Sequence, residues 1–362
     1  MIYTLSIDWL TIFCIFMGDG DWEPVETTAF RYKKEDFGTR CFSRFYRVRV
    51  PNAEGGLDEF AEVQATPYST ILPSYAVMVR FVNRTLYLPD FWTFAADFLR
   101  FNEFECRGIS RIDVCADFNQ FACIEPKKLI EGFAAKKYRH IGRGVGALYF
   151  NHGVGVERDI YDKPVSDYGV NYTGLSFGTH SSDAHVYLYN KTFELLTQGD
   201  KPWIKDTWRA AGLDMRNVWR LEVSIKSAGL KFKDKKTGND IEVDVPKVRE
   251  TSELDKIYHT FVKRLFSFIE NKKKISNITR EPRLLLFEGK PAYDRGVVRN
   301  ISAGGRMERI MIKQLYQFAD RYRGVYDAEN KAVELAGRLA NATGLGDWYE
   351  LKRSVWEKPV HK

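Results

Sequence analysis

The sequence of 362 residues lacks both the long apolar run of a membrane-spanning protein and several motifs of well-known enzyme classes. No apolar run approaches the roughly 18 residues of a membrane span. There is no P-loop, no Gly-x-Gly-x-x-Gly turn before a helix and no Gly-x-Ser-x-Gly motif, which argues against a helicase or an ATPase within this chain. The first residues lack the basic region and the cleavage site of a signal peptide, so residues 3–13 are predicted to form a strand and the protein to be cytoplasmic.

Cysteine and histidine are scarce, at five and six residues. The cysteines form no Cys-x-x-Cys pair and no Cys/His pattern of the zinc type, and an odd, scattered set is typical of reduced thiols in a cytosol. No two histidines flank a single apolar residue. A metal held by two histidines at that spacing is therefore excluded, and carboxylates, whose oxygen atoms favour Mg²⁺ or Mn²⁺ over Zn²⁺, are the expected ligands, with His185 left open as a contributor.

The net charge of +7 is concentrated in the last third of the chain. Residues 231–362 contain 28 Lys and Arg against 19 Asp and Glu, whereas the first 230 residues contain 27 against 29. A positive field on one part of a protein predicts a polyanionic partner, most often nucleic acid, although a basic surface also serves solubility alone. The candidate DNA contacts in this region are Lys272, Lys273, Lys274, Arg306, Arg309 and Lys313.

Three segments alternate between polar and apolar residues: 111–117, 183–191 and 220–226. Because side chains of a strand alternate between its faces, each segment places its polar residues on one face. Any half-exposed antiparallel strand shows such alternation. If the three are neighbours, however, one sheet face combines the groups needed for metal-assisted attack of tyrosine on a phosphodiester. The polar residues are Asp113, Cys115 and Asp117; Asp183, His185, Tyr187, Tyr189 and Lys191; and Glu222 and Lys226.

The distribution of elements predicts an α+β fold with antiparallel sheets. A polar turn at 231–240 divides a catalytic domain, 1–228, from a basic, mainly helical DNA-recognition region, 229–362. The pattern Arg, aliphatic, acid, Val occurs at 111–114 and 220–223, which suggests two related sheet units that form a saddle. Strands are predicted at 3–13, 41–50, 75–82, 107–118, 146–150, 184–190 and 217–226, and helices at 90–104, 125–137, 251–270, 305–322 and 327–343.

Four segments, taken in order, resemble the replication initiation factor family, the Rep_trans-type initiators of rolling-circle plasmids and filamentous phages. Residues 5–12 are similar to the family's opening strand, and residues 110–118 to its strand with two acids four positions apart. Residues 177–191 resemble its tyrosine motif, and residues 218–223 its final Trp-Arg-aliphatic-Glu strand. The resemblance covers residues 5–226.

The resemblance implies an endonuclease that nicks one strand of a replication origin. Tyr189 matches the family's nucleophile, which becomes joined to the 5′-phosphate and leaves a free 3′-hydroxyl. On this basis Asp113, Asp117 and Glu222 are expected to hold one Mg²⁺ or Mn²⁺ ion, and Lys191 to stabilise the phosphate or assist ionisation of the tyrosine. The other expected neighbours of the site are Tyr187, His185, Asp183 and Arg220.

The chain departs from the family at one position. Members often carry an acid on the strand before the first helix, where this chain has Val79-Arg80-Phe81, so the full ligand set stays open. The resemblance also implies origin DNA as a partner, double-stranded and unpaired at the nick, together with a host helicase. The oligomeric state is open, a dimer included. Two other functions fit the same residues: a conjugative relaxase of the same chemistry, and a non-catalytic DNA-binding protein such as a repressor.

Overall fold

The chain divides into two compact units, one of Met1–Tyr68 and Ser74–Val298 and the other of Ser69–Pro73 and Arg299–Lys362. Among the described residues, no helix is long and apolar enough to cross a membrane. The computed structural model describes residues 1–52, 54–68, 72–142, 146–150, 158–159, 172–179, 181–272, 281–293, 297–299, 311–312, 314–315, 318–319, 321, 326–342, 345 and 349.

Strands and helices follow one another without regular alternation through the first unit and up to Arg299, where the second unit resumes. The strands are β1 (Tyr3–Phe16), β2 (Arg31–Lys34), β3 (Phe42–Pro51), β4 (Leu57–Pro67), β5 (Ala76–Phe81), β6 (Phe104–Phe118), β7 (Tyr138–His140), β8 (Gly146–Phe150), β9 (Arg158–Asp159), β10 (Tyr172–Phe177), β11 (Ala184–Asn190), β12 (Trp219–Lys226), β13 (Lys231–Asp234), β14 (Asp240–Glu242), β15 (Phe268–Glu270) and β16 (Val297–Arg299). The helices are α1 (Asn83–Leu86), α2 (Phe91–Phe101), α3 (Pro126–Ala134), α4 (Lys191–Gln198), α5 (Pro202–Ala210), α6 (Val245–Arg249) and α7 (Thr251–Leu265).

One antiparallel sheet of eleven strands forms the body of this unit, in the order β2-β3-β4-β5-β1-β6-β12-β11-β10-β8-β9. The α+β class with antiparallel strands is therefore confirmed. The first strand of the chain, β1, lies in the middle of the sheet between β5 and β6. The two strands that carry the repeated pattern, β6 and β12, are direct neighbours, with Arg220 opposite Asp117. The predicted duplication into two sheet units stays a hypothesis.

The apolar face of the sheet is covered by helices. Along β6 and β12, Ile112, Val114, Leu221 and Val223 are at most 1% exposed, as period-two alternation predicts. Helices α2, α3 and α7 share one hydrophobic core with these strands. Tyr258 of α7 donates a buried hydrogen bond of 3.0 Å to the carbonyl oxygen of Leu221. Helix α7 is thus a structural part of the sheet unit.

The first compact unit extends beyond residue 228, where the sequence placed a boundary. After that residue the β13–β14 hairpin forms and α6 and α7 return to the sheet. The physical reason is the apolar stripe of α7, in which Leu254, Ile257 and Phe261 are at most 6% exposed.

The second unit contains helix α8 (Tyr326–Ala342). It has a small apolar cluster of its own, and Tyr349 donates a hydrogen bond of 3.1 Å to the carbonyl oxygen of Val333. Its helix confirms the segment predicted at 327–343. The buried residues of the cluster are Ile312, Ala336, Ala340, Leu345 and Tyr349.

Candidate active site

Four central strands bring the predicted polar residues onto one face of the sheet, called the polar face below. The pairings of β11, β12, β6 and β1 align these residues in rows that run across the strands. Residues opposite one another in antiparallel strands share a face, so the members of a row are side-chain neighbours. The rows are Tyr189, Arg220, Asp117 and Thr4; Tyr187, Glu222, Cys115 and Ser6; His185, Ser224, Asp113 and Trp9; and Lys226, Arg111 and Thr11.

One end of the polar face is closed over by helices. Arg220 is fully buried there, and it donates Nε to Asp117 Oδ1 at 2.7 Å, Nη2 to Asp117 Oδ2 at 2.8 Å and Nη1 to Asp8 Oδ1 at 2.5 Å. Trp208 of α5 donates its indole N–H to Asp117 Oδ2 at 2.7 Å. A buried charge is tolerated only when it is paired and hydrogen-bonded. Asp117 therefore acts as the counter-ion of Arg220, with both of its oxygen atoms engaged.

Asp8 completes this network, although sequence reasoning did not select it. A β-bulge in β1 separates Ile7 from Trp9 in the pairing with β6, and Asp8 is the extra residue. Its Oδ1 accepts hydrogen bonds from Arg220 and, at 3.0 Å, from the hydroxyl of Tyr87. Burial raises the pKa of Asp8, but the positive charges of Arg220 and Lys191, together with hydrogen bonds from Asn83 and Arg220, outweigh it and hold the pKa well below its usual range. The available signal was an acid within a strand that otherwise carries no charge.

The candidate nucleophile Tyr189 lies beside this closed end, between Glu222 and Lys191. Its hydroxyl donates a hydrogen bond to Glu222 Oε2 at 3.1 Å and accepts one from Lys191 Nζ at 3.4 Å. The side chain is half-buried. The tyrosine hydroxyl is therefore hydrogen-bonded to both a carboxylate and an ammonium group on the polar face.

Lys191 reaches the site by a different route from the predicted one. The alternation placed it on a strand, but β11 ends at Asn190, and Lys191 begins α4. The side chain of Asn190 accepts a hydrogen bond of 2.9 Å from the backbone N–H of Phe193 and so caps the helix. Lys191 is buried and pairs with Glu194 at 2.7 Å.

Burial and charge shift the pKa values of these three groups in different directions. Burial raises the pKa of Tyr189 well above 10, and the charge of Glu222 adds to the rise. Burial, reinforced by nearby carboxylates, raises the pKa of Glu222 to about 7. Burial and the charge of Arg220 lower the pKa of Lys191. Glu222 can consequently take up a proton near neutral pH, and Lys191 can release one more readily than an exposed lysine.

The other predicted neighbours lie at different distances from Tyr189. The ring of Tyr187 stacks on that of Tyr189, with centroids 4.6 Å apart. His185 is four strand residues away, about 13 Å at ~3.3 Å per residue. Asp183 is exposed in the turn before β11, and its carbonyl oxygen accepts a hydrogen bond of 2.8 Å from the N–H of Lys226. The structure brings Tyr187 to the site and leaves His185 and Asp183 outside it.

The three predicted metal ligands do not form one set. Asp113 and Asp117 are four residues apart on β6, about 13 Å along the strand, whereas one ion needs oxygen atoms within ~2.0–2.6 Å. Asp113 also accepts Arg111 Nε at 2.9 Å and Nη2 at 2.5 Å. Within the described part of the chain, no group of three His, Cys, Asp or Glu side chains is placed to hold a metal. These donors do not fit a three-carboxylate site.

The basic residues predicted to contact DNA are described at one position. Lys272 follows β15, is exposed, and pairs with Glu281 at 3.0 Å. The others, Lys273, Lys274, Arg306, Arg309 and Lys313, lie outside the described residues.

Comparisons with known proteins include a likeness to a solved structure. No protein-family profile and no curated protein matches the chain. A solved structure of a rolling-circle replication initiator protein from Geobacillus stearothermophilus is similar at a TM-score of 0.42 and 14% identity, over 77% of this chain and 92% of that chain.

Proposed function

We propose that this chain nicks one DNA strand through Tyr189 and acts as a rolling-circle replication initiator. The observation that carries the proposal is the hydroxyl of Tyr189, held between Glu222 and Lys191 on the polar face. The ordered sequence motifs support the same function. The products are a 5′-phosphotyrosine, which stores the bond for later strand closure, and a free 3′-hydroxyl that primes synthesis.

The proposed reaction is a transesterification in which one side chain accepts the proton of the attacking tyrosine and another supplies a proton to the leaving oxygen. Tyr189 Oη attacks phosphorus, the bond from phosphorus to the 3′-oxygen breaks, and the phenolic proton passes to Glu222. Glu222 suits this role because its pKa is raised to about 7, near the pH of the cell. Lys191, whose pKa is lowered by burial, supplies a proton to the leaving 3′-oxygen.

Origin DNA is the proposed substrate, with the strand unpaired at the nick. A phosphodiester inside a duplex does not reach a half-buried tyrosine, so the origin is melted or extruded there, at a cost of a few kcal/mol by analogy with base flipping. The host helicase stays a prediction. The requirement for Mg²⁺ or Mn²⁺ also stays a prediction, because the three carboxylates do not fit one ion.

The test uses DNA that flanks the gene, cloned into a supercoiled plasmid and incubated with protein in Mg²⁺, Mn²⁺ or EDTA. We expect nicking and a covalent protein–DNA adduct, both abolished in Tyr189→Phe, because that variant lacks only the attacking oxygen. Tyr187→Phe is the matched control, since its ring stacks on Tyr189, and it should retain most of the activity. An adduct mapped to Tyr187 by mass spectrometry, or one that persists in Tyr189→Phe, would refute the assignment.

A non-catalytic DNA-binding protein is the competing function. It would bind the same DNA without a nick or an adduct in any of the three metal conditions. Activity that survives in EDTA would remove the metal requirement and leave the proton transfers through Glu222 and Lys191 in place.

A further inference from the structure

A row of basic side chains crosses the polar face away from the tyrosine. Pairings from β2 to β12 place these residues in one register, with Glu62 and Thr11 between them. Six strand spacings separate its ends, about 29 Å at ~4.8 Å each. This basic row consists of Lys33 on β2, Arg47 on β3, Arg80 on β5, Arg111 on β6 and Lys226 on β12.

The cations of the basic row face solvent, and most of their counter-ions lie beneath them. Its Lys33, Arg47, Arg80 and Arg111 side chains are 30–59% exposed, whereas three carboxylates that pair with them are only 4–13% exposed. A more exposed partner is Glu59, 43% exposed, which accepts a hydrogen bond of 3.2 Å from Arg47 Nη1. The exposed groups along the row are therefore predominantly cationic although its charges are paired. The three shielded carboxylates are Glu35, Glu62 and Asp113.

Two guanidinium groups of the row are fixed in place by a tryptophan. The guanidinium carbons of Arg80 and Arg111 lie 4.5 and 4.6 Å from the ring centroid of Trp9. The indole N–H is anchored to Thr11 Oγ1 at 2.8 Å. Arg111 uses Nε and Nη2 on Asp113, which leaves its Nη1 donors for another acceptor. Groups held in this way lose little conformational freedom when they bind a phosphate.

We propose that the basic row binds the phosphodiester backbone of the single DNA strand that enters the tyrosine site. The row shares the polar face with Tyr189, and Arg111 lies four residues along β6 from the position opposite Glu222, about 13 Å away. Arg80 stands where the family resemblance implied a metal-ligating acid, so a cation meets the DNA at a position expected to be anionic. That the bound strand is the one nicked by Tyr189 rests on the proposed function, whereas binding of single-stranded DNA by the basic row does not.

Binding is measured in the Tyr189→Phe full-length protein, so that cleavage plays no part. The probe is fluorescein-labelled oligothymidylate, followed by anisotropy over a series of NaCl concentrations, with a duplex of equal length as competitor. Lys33→Gln, Arg47→Gln and Arg80→Gln should each weaken binding and reduce the slope of log K against log salt by about 0.7. Glu59→Gln should strengthen binding, because it removes an exposed competitor for Arg47.

Arg107→Gln is the matched control. Arg107 lies on β6 outside the row, is 51% exposed and pairs with Glu105 at 2.6 Å, so its loss should leave affinity and slope unchanged. Arg111 is tested as Arg111→Gln with Asp113→Asn, which avoids leaving a buried carboxylate unpaired. Thermal melts establish that each variant is folded.

Three results would overturn the proposal: folded row variants with the affinity and slope of the parent, an equal loss in Arg107→Gln, or stronger competition by the duplex than by single strands. Failure of the nicking reaction is a separate result. A protein that binds oligothymidylate through the row but never forms an adduct at Tyr189 would disprove the proposed enzyme and keep the binding site.

Discussion

Arg220 and Arg111 make the same kind of ion pair on the same sheet face, and they differ in burial. Each donates Nε and Nη2 to the two oxygen atoms of one aspartate, Asp117 for Arg220 and Asp113 for Arg111. Arg220 is fully buried, whereas the side chain of Arg111 is 39% exposed. Burial therefore separates a group that holds strands together from one that can also meet a ligand.

The carboxylates of the polar face show the same contrast. Asp8 lies against the guanidinium of Arg220, and burial raises its pKa less than the nearby positive charges and hydrogen bonds lower it. Glu222 is contacted by the neutral hydroxyl of Tyr189, and burial raises its pKa to about 7. One carboxylate is thus fixed as an anion, and the other is able to exchange a proton. Because both side chains are carboxylates, residue type alone would have predicted the same role for Asp8 and Glu222.

Removing the buried cation should produce the largest effect. Arg220→Met leaves the buried Asp117 and the partly buried Asp8 without their partner, and loss of one member of a buried ion pair costs about 3–5 kcal/mol. We expect that decrease in the free energy of unfolding, measured by urea denaturation. Arg209→Met is the control, because Arg209 on α5 is 59% exposed and pairs with Asp206, and it should change stability by less than ~1 kcal/mol. Equal costs for the two variants would contradict the buried network.

Local periodicity explains why the central strands were predictable. Segments 107–118, 184–190 and 217–226 alternate with period two, and the structure has strands at Phe104–Phe118, Ala184–Asn190 and Trp219–Lys226. Their polar residues fall on one face because parity within a strand is a local property.

Features that depend on distant pairing were not predictable from the sequence. The basic row exists because β1 inserts between β5 and β6, which brings Arg80 and Arg111 to either side of Trp9. The role of Asp8 depends on a bulge, which shifts parity at one residue. The β4 strand, Leu57–Pro67, and the short helices α4 and α5 were also missed. Helix α4 turns the chain at Lys191, so the period-two pattern through 191 predicted the wrong element there.

The raised pKa of Glu222 should make stability depend on pH. A pKa of about 7 in the folded protein, against 4.5 for an unperturbed glutamate, means that the folded protein binds more protons than the unfolded chain between these values. Stability contributed by the protonated group is therefore lost as pH rises through this window. Above pH 7, Glu222→Gln should be more stable than the parent by about 1–2 kcal/mol, less than the full shift implies because solvent screens the site. Urea denaturation across pH measures the difference.

Glu105→Gln serves as the control for this pH series. Glu105 lies on β6 with its side chain 45% exposed, so the substitution should leave the pH profile of the parent unchanged. Parallel profiles for Glu222→Gln and the parent would show that Glu222 is not the titrating group. Nicking should be lost in Glu222→Gln at every pH, because the amide cannot accept the phenolic proton.

The smallest effect is expected for Arg111, the more exposed of the two compared arginines. Arg111→Met removes two hydrogen bonds to Asp113, but its guanidinium is already partly solvated, so we expect a loss of only about 1 kcal/mol. Asp113 is 4% exposed, and part of that loss comes from leaving it unpaired. The double variant with Asp113→Asn should therefore recover some stability, and a double-mutant cycle in urea isolates the coupling between the two side chains.

A coupling near 1 kcal/mol would agree with a guanidinium that exchanges its partner for phosphate at little cost. A coupling as large as the loss in Arg220→Met would show that Asp113 holds Arg111 too firmly to be displaced, so that phosphate could reach only its Nη1 donors. The same cycle repeated with saturating oligothymidylate sharpens the distinction. If phosphate takes up the Nη1 donors and leaves Nε and Nη2 on Asp113, the coupling should survive in the complex, whereas a phosphate that displaces Asp113 should reduce it towards zero.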